Sequence, residues 1–374
     1  MKVKSVFSQT SLLIISSVLN SKANTYSHDK RPVGVIGSGS FGISIAKLLE
    51  HNTDVLIYSR KEETVKAINE THRHYNTDLN PERIRATNNP QEICETCRLI
   101  FPIVPSGSFR NMVQTFSPFL KPYHILIHGT KGFDLVGVRE EDLRSGVIVS
   151  RANIRMMSEV IMEESSVVRV GCLSGPNLAN ELLAGQPSAT LIASRFDEVI
   201  DAGQAVLDSK RFHVFGSHEI LGAEFAGALK NIIAIASGIL GGKGLGRNIQ
   251  AMLITRGLIE MIAFGKSLGA TNKAFLGTAG IGDLIATATS TNSRNYSFGM
   301  RLAQGEKPED IINSLQEVAE GVRTLRIAHR IARTYRLHVP ITEMLFRVVF
   351  ENYDIEKAIT NLIEYPYDVD VDFV

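Results

Sequence analysis

Two distant parts of the chain hold residue types suited to proton transfer and to phosphate binding. Lys230 and Asn231 stand among Phe225, Leu229, Ile232, Ile233 and Ile235 in a long apolar stretch. An ammonium there is costly unless its side chain snorkels to water or has a task. Desolvation lowers a lysine's pKa, which suits the group to exchange a proton near neutrality. Asp283 and Thr287 are four apart, so a helix there puts both on one face. Asp283 then suits an orienting partner for Lys230; a helix N-cap is the plain alternative. Ser293-Arg294-Asn295 sets an arginine between two hydrogen-bonding side chains. Its planar fork suits a phosphate monoester, unless the segment is a turn with a surface arginine.

The glycine pattern Gly37-Ser38-Gly39-Ser40-Phe41-Gly42 follows the apolar run Val33–Ile36 and precedes a small-residue stretch. Between a strand and a helix this is a dinucleotide-binding turn. Gly37 makes the tight turn, Gly39 lets backbone approach a pyrophosphate, and Gly42 lets helix pack on strand. NAD-selective folds place a carboxylate about twenty residues further on. Here the next strand ends Tyr58-Ser59-Arg60, and Arg60 can pair with a 2′-phosphate, which leans toward NADP and leaves NAD open.

Other candidates carry less. The loop Gly241-Gly242-Lys243-Gly244 fails the triphosphate pattern, since Gly244 follows the lysine, and reads as an interhelical loop. Cys94 and Cys97 form a CxxC with no second Cys or His pair at zinc spacing, so they read as two thiols before a strand. The histidines form no HExxH pair, and no metal is expected.

These residues need elements to position them. From residue 31 strands and helices alternate: strands over 33–36, 54–58, 99–104, 124–128 and 168–172, helices over 43–50, 62–69 and 109–119. Such alternation gives an α/β, Rossmann-like unit with a mostly parallel sheet and ligands at the strand ends. Beyond about 217 long helical stretches dominate, over 222–240, 249–268 and 323–335. The expected division is an extension over 1–30, a dinucleotide-binding domain over 31–217 and an all-α catalytic domain over 218–374. The stretch 221–242 invites a membrane reading, but its central charge and its glycines oppose insertion. Forty basic residues nearly balance thirty-nine acidic ones, so no global field recruits nucleic acid or a membrane surface. Three cysteines give no disulfide framework and fit the cytoplasm. A homodimer is open. Residues 1–30 faintly resemble a secretory signal, but the apolar core is short and interrupted by Ser16 and Ser17.

Together Thr130-Lys131-Gly132, Leu173 to Ala179, Ala228 to Asn231, Ile254 to Gly257, Gly282 to Leu284, Ser293 to Asn295 and Val318 to Gly321 resemble the soluble, bacterial-type NAD(P)-dependent glycerol-3-phosphate dehydrogenases. The similarity runs from about Pro32 to the C-terminus, apart from an apparent insertion over 136–152. It implies reversible reduction of dihydroxyacetone phosphate to sn-glycerol 3-phosphate, which feeds phospholipid synthesis. It implies Lys230 as proton donor and acceptor, and Lys131 as a contact to both cofactor and substrate. Gly175, Asn177, Asp283, Ser293, Arg294 and Asn295 would hold the substrate. Ser40, Phe41, Arg60, Tyr75, Ala179, Val318 and Glu320 would line the cofactor, with Arg294 nearby. Phe41 replaces a usual tryptophan, Asn177 a usual Ser or Thr, and Lys243 stands where an acid is commoner. A hydroxy-acid dehydrogenase and a non-catalytic NAD(P)-binding redox sensor remain as alternatives.

Overall fold

The computed structural model describes residues 30–315 and 319–365. Its strands are β1 (Val33–Ile36), β2 (Val55–Tyr58), β3 (Arg73–His74), β4 (Thr77–Asp78), β5 (Ile84–Thr87), β6 (Leu99–Pro102), β7 (Ile125–His128), β8 (Asp134–Leu135), β9 (Ile154–Arg155), β10 (Arg169–Ser174), β11 (Ser188–Ser194) and β12 (Phe212–Ser217). Eight of them form one sheet in the order β12-β11-β10-β7-β6-β1-β2-β5. Its pairings are parallel except between β10 and β11.

Alternation along the strands builds a core on each face. Val33, Val35, Ile57, Phe101 and Ile127 join one core, while Ile36, Leu56, Ile100 and Leu126 join the other. Seven helices accompany the sheet: α1 (Ser40–Leu49), α2 (Glu62–Lys66), α3 (Pro90–Thr96), α4 (Phe109–Phe116), α5 (Met157–Glu164), α6 (Ala179–Leu183) and α7 (Asp197–Leu207). β1 is buried along its whole length, as a strand covered on both faces must be. β5, β11 and β12 have no counterpart in the sequence reading. β5 alternates over only four residues, and β11 is rich in Ser, Ala and Thr, so neither shows a period long enough to separate strand from loop.

After β12 come α8 (Ile220–Gly242), α9 (Arg247–Ser267), α10 (Asp283–Ala288), α11 (Arg294–Ala303), α12 (Pro308–Ser314), α13 (Glu320–Tyr335), α14 (Pro340–Phe350) and α15 (Ile355–Ile363). α8 is the axle of this half, packed against α9, α10, α11, α13 and α14. It is long and apolar enough to cross a membrane, yet its hydrophobic window is 89% buried inside the protein.

The segment taken as an insertion folds back onto the helical half. β8 pairs antiparallel with β9, and Phe133, Leu143, Val149, Ile154 and Met156 enter the core around α8. Arg330 Nε donates to Leu143 O (2.7 Å), Val149 N to Thr334 Oγ1 (3.2 Å) and Arg151 N to Tyr335 Oη (2.9 Å). The segment is thus a brace along α13.

Candidate active site

One carboxylate holds two lysines. α8 delivers Lys230 and the start of α10 delivers Asp283, 4% and 1% exposed; Lys131 comes from the loop after β7. Lys230 Nζ donates to Asp283 Oδ1 and to Thr287 Oγ1 at 2.5 Å. Thr287 Oγ1 in turn donates to Asp283 Oδ1 at 3.2 Å, the shared helix face expected of a four-residue spacing. Lys131 Nζ donates to Asp283 Oδ2 at 2.5 Å and to Gly175 O at 3.2 Å. Burial pulls the Lys230 pKa down to about 7, opposed by Asp283 and assisted by the Lys131 charge. Such an amine can give or take a proton near neutrality, beside a second cation able to steady a developing oxyanion.

The glycine turn fits a dinucleotide. Gly37 has φ +119°, and a Cβ there would fall 2.1 Å from Ile103 O. A Cβ on Gly42 would fall 2.0 Å from Gly37 O, so α1 starts hard against the turn. Gly39 is the N-cap of α1 and no side chain caps that end, which leaves backbone N–H groups for a phosphate. Phe41 packs over Gly129, one residue before Thr130 and Lys131. Ser44 Oγ donates to Ser40 O (2.8 Å) and Ala179 O (3.2 Å), which brings Ala179 beside α1. Arg60 follows β2 and is exposed. Tyr75 sits in the β3–β4 turn, which reaches the glycine turn through His74 Nε2, 3.1 Å from Ser38 O.

The remaining residues form a second group. Asn177 Nδ2 donates to Thr190 Oγ1 at 2.8 Å, and its buried Oδ1 has no protein partner, an acceptor suited to a ligand hydroxyl or N–H. Ser293 Oγ caps α11 by accepting from Tyr296 N at 3.3 Å. Arg294 opens α11 and is exposed. Asn295 Oδ1 accepts from Gly321 N at 3.0 Å, tying α11 to α13. Glu320 accepts from Ser106 N (2.8 Å) and Ser106 Oγ (2.6 Å), across from the end of β6. Val318 lies outside the described residues. The contacts therefore gather Lys131, Gly175, Lys230 and Asp283 at one point, whereas those of Ser293 and Asn295 serve α11 and α13.

Ser106 and Arg323 escape the sequence reading. Arg323 Nη1 donates to Ser106 Oγ at 3.1 Å, and the rule that ligands sit at strand ends was the available signal for Ser106. Lys243, in the glycine loop, pairs with Glu356 at 2.7 Å. Burial pushes the Cys94 and Cys97 thiols up to about 12, as core thiols behave. A cavity lined by Arg333, Arg336, His338 and Glu343 contains none of the site residues.

Two family models match: the N-terminus of NAD-dependent glycerol-3-phosphate dehydrogenase over residues 32–200 and its C-terminus over 219–360. A glycerol-3-phosphate dehydrogenase [NAD(P)+] of an Exiguobacterium species is 36% identical over 341 residues, 89% of this chain and 95% of that one. The enzyme of the same name from Acinetobacter baylyi is 37% identical over 346 residues, 91% and 92% of the two chains. The solved glycerol-3-phosphate dehydrogenase of Coxiella burnetii superposes with a TM-score of 0.79 at 29% identity, covering 90% of this chain and 99% of that one. With both halves matched and near-complete relatives above a third identical, the chain belongs to the NAD-dependent glycerol-3-phosphate dehydrogenase family.

Proposed function

We propose that this chain interconverts dihydroxyacetone phosphate and sn-glycerol 3-phosphate, with NADP preferred to NAD. The observation that carries this reading is the buried Lys230–Asp283–Lys131 cluster joined to a glycine turn shaped for a dinucleotide. A reduced nicotinamide, when bound, supplies a hydride to the ketone carbon. Lys230 gives its proton to the oxygen of that carbon, and Asp283 with Thr287 aims the ammonium. Lys131 adds positive charge beside the same oxygen. Asn177 Oδ1 accepts from a substrate hydroxyl, Gly175 lines the same pocket, and Arg294 with Ser293 and Asn295 fixes the phosphate so that the ketone is held in place. Gly37, Gly39, Ser40 and Gly42 receive the pyrophosphate. Phe41, Tyr75, Ala179 and Glu320 line the cofactor, and Arg60 meets the 2′-phosphate. The product suits a supply role for phospholipid synthesis, and the three free, buried thiols suit the cytoplasm.

A spectrophotometric assay with dihydroxyacetone phosphate, run separately with NADH and NADPH, tests the reading. Oxidation of coenzyme is expected with both and faster with NADPH; none with either removes the assignment. Lys230→Ala should lower kcat by on the order of a hundredfold or more. Arg294→Ala separates a phosphate ester from a hydroxy-acid substrate: KM for dihydroxyacetone phosphate should rise at least tenfold, and an unchanged KM favours the hydroxy acid.

A further inference from the structure

A buried imidazole–carboxylate contact joins the two elements that lead to the lysines. His128 ends β7, three residues before Lys131, and its Nε2 lies 2.8 Å from Glu224 Oε1, with both side chains 2% exposed. Glu224 stands on α8 six residues before Lys230. Its carboxylate also accepts from Ser158 N (2.9 Å) and Ser158 Oγ (2.6 Å) at the start of α5. The Phe109 ring meets His128 edge-on. Beside the pair is a small cavity also lined by Thr130, Lys131, Cys172 and Ser174. Lys131 and Cys172 are thus the other ionisable groups facing it.

A carboxylate and an imidazole this far from water carry a desolvation penalty that an apolar pair would avoid. The neighbours of Glu224 one turn away on α8 are Ile220, Leu221, Gly227 and Ala228, so apolar packing suits the site sterically. Apolar contacts slide, however, whereas the Glu224 carboxylate, fixed by its two hydrogen bonds to Ser158, meets the imidazole at one set place.

We propose that Glu224 and His128 are positioning residues that hold the end of β7 against α8, so that Lys131 and Lys230 reach the same carboxylate. The inference rests on the reaction proposed for the site. Neither side chain touches the reacting atoms; each acts through the lysine that follows it.

Glu224→Gln and His128→Gln, assayed beside the unaltered chain, test this. Each should lower kcat about tenfold while KM for NADPH moves less than twofold, because the glycine turn and Arg60 belong to other strands. The double variant should fall no further than the worse single one, since both act through one contact. With Lys131 no longer held at Asp283, its depressing influence on Lys230 lifts. The fall of ketone reduction at alkaline pH then moves to higher pH. An NMR titration of labelled lysine side chains should show the same upward shift without any substrate. A pair that serves only stability lowers the thermal midpoint and leaves kcat and the lysine titration in place, and that result overturns the proposal. Independent losses that multiply in the double variant also overturn it. Should Glu224→Gln fail to fold, His128→Gln carries the same readouts. An unaltered chain inert toward dihydroxyacetone phosphate removes the reaction instead, while the lysine titration still decides the positioning role.

Discussion

At the residue scale the site turns on one amine near neutrality. In the proposed reaction ketone reduction draws on the Lys230 ammonium, so kcat/KM in that direction should fall as pH rises past about 7, while alcohol oxidation should rise over the same range. An opposite pair of pH profiles would remove Lys230 as the proton carrier. The sign for stability is separate. The folded pKa lies below the unfolded one, so the unfolded chain binds the extra proton between about 7 and 10.5, and this group favours folding increasingly as pH rises through that window. Arg60 is the residue proposed to set coenzyme choice. Arg60→Ala should raise KM for NADPH roughly tenfold and leave NADH nearly unchanged; equal losses with both would show that the guanidinium does not read the 2′-phosphate. Lys230 and Asp283 were legible in the sequence because a charge in an apolar run, and an acid four residues from a threonine, are local patterns. The sharing of Asp283 with Lys131 was not, since the two lysines come from different halves of the fold. Nor was the capping duty of Ser293, which depends on where α11 begins.

Elements were legible where their period was long. The apolar runs of β1, β2, β6, β7 and β10, and the length of α8, α9 and α13, left clear traces. β11 did not, because its fit depends on an antiparallel partner that no local pattern announces. The glycine turn is sensitive to a single change. Gly37→Ala should destabilise by about 3 kcal/mol or more and abolish coenzyme binding, since the new methyl would meet Ile103 O and φ is positive; a wild-type melting curve would contradict this. A second element prediction concerns α14. Glu260 on α9 caps it, accepting from Ile341 N (2.6 Å), Thr342 N (3.0 Å) and Thr342 Oγ1 (2.7 Å). Burial raises its pKa to about 7 against the pull of these bonds. A raised pKa means the folded chain binds the extra proton between about 4.5 and 7. The stability it contributes is present at low pH and lost as pH climbs through that window. Glu260→Gln should flatten this part of the profile of thermal midpoint against pH; an unaltered slope would place the titration elsewhere.

Over the whole molecule the sheet half and the helical half are joined by polar ties at several levels. Glu320 and Arg323 on α13 both hold Ser106 beyond the end of β6, while the brace bonds Arg330, Thr334 and Tyr335 further along α13. These ties should separate experimentally. Glu320→Gln should raise KM for the coenzyme several-fold, whereas Arg330→Ala, which cuts the bond to Leu143 O, should lower the thermal midpoint by about 2–4 °C and leave KM alone. Composition made the two halves legible but not the brace, whose apolar residues are too scattered to announce that they complete a distant core. α8 carries a consequence for biosynthesis. As it leaves the ribosome this segment offers insertion machinery a stretch of transmembrane length, and a lysine at its middle adds about 2.5–3.5 kcal/mol against entry into a bilayer. The proposed proton carrier therefore also opposes membrane insertion of the nascent segment, and a leucine in its place would remove that barrier.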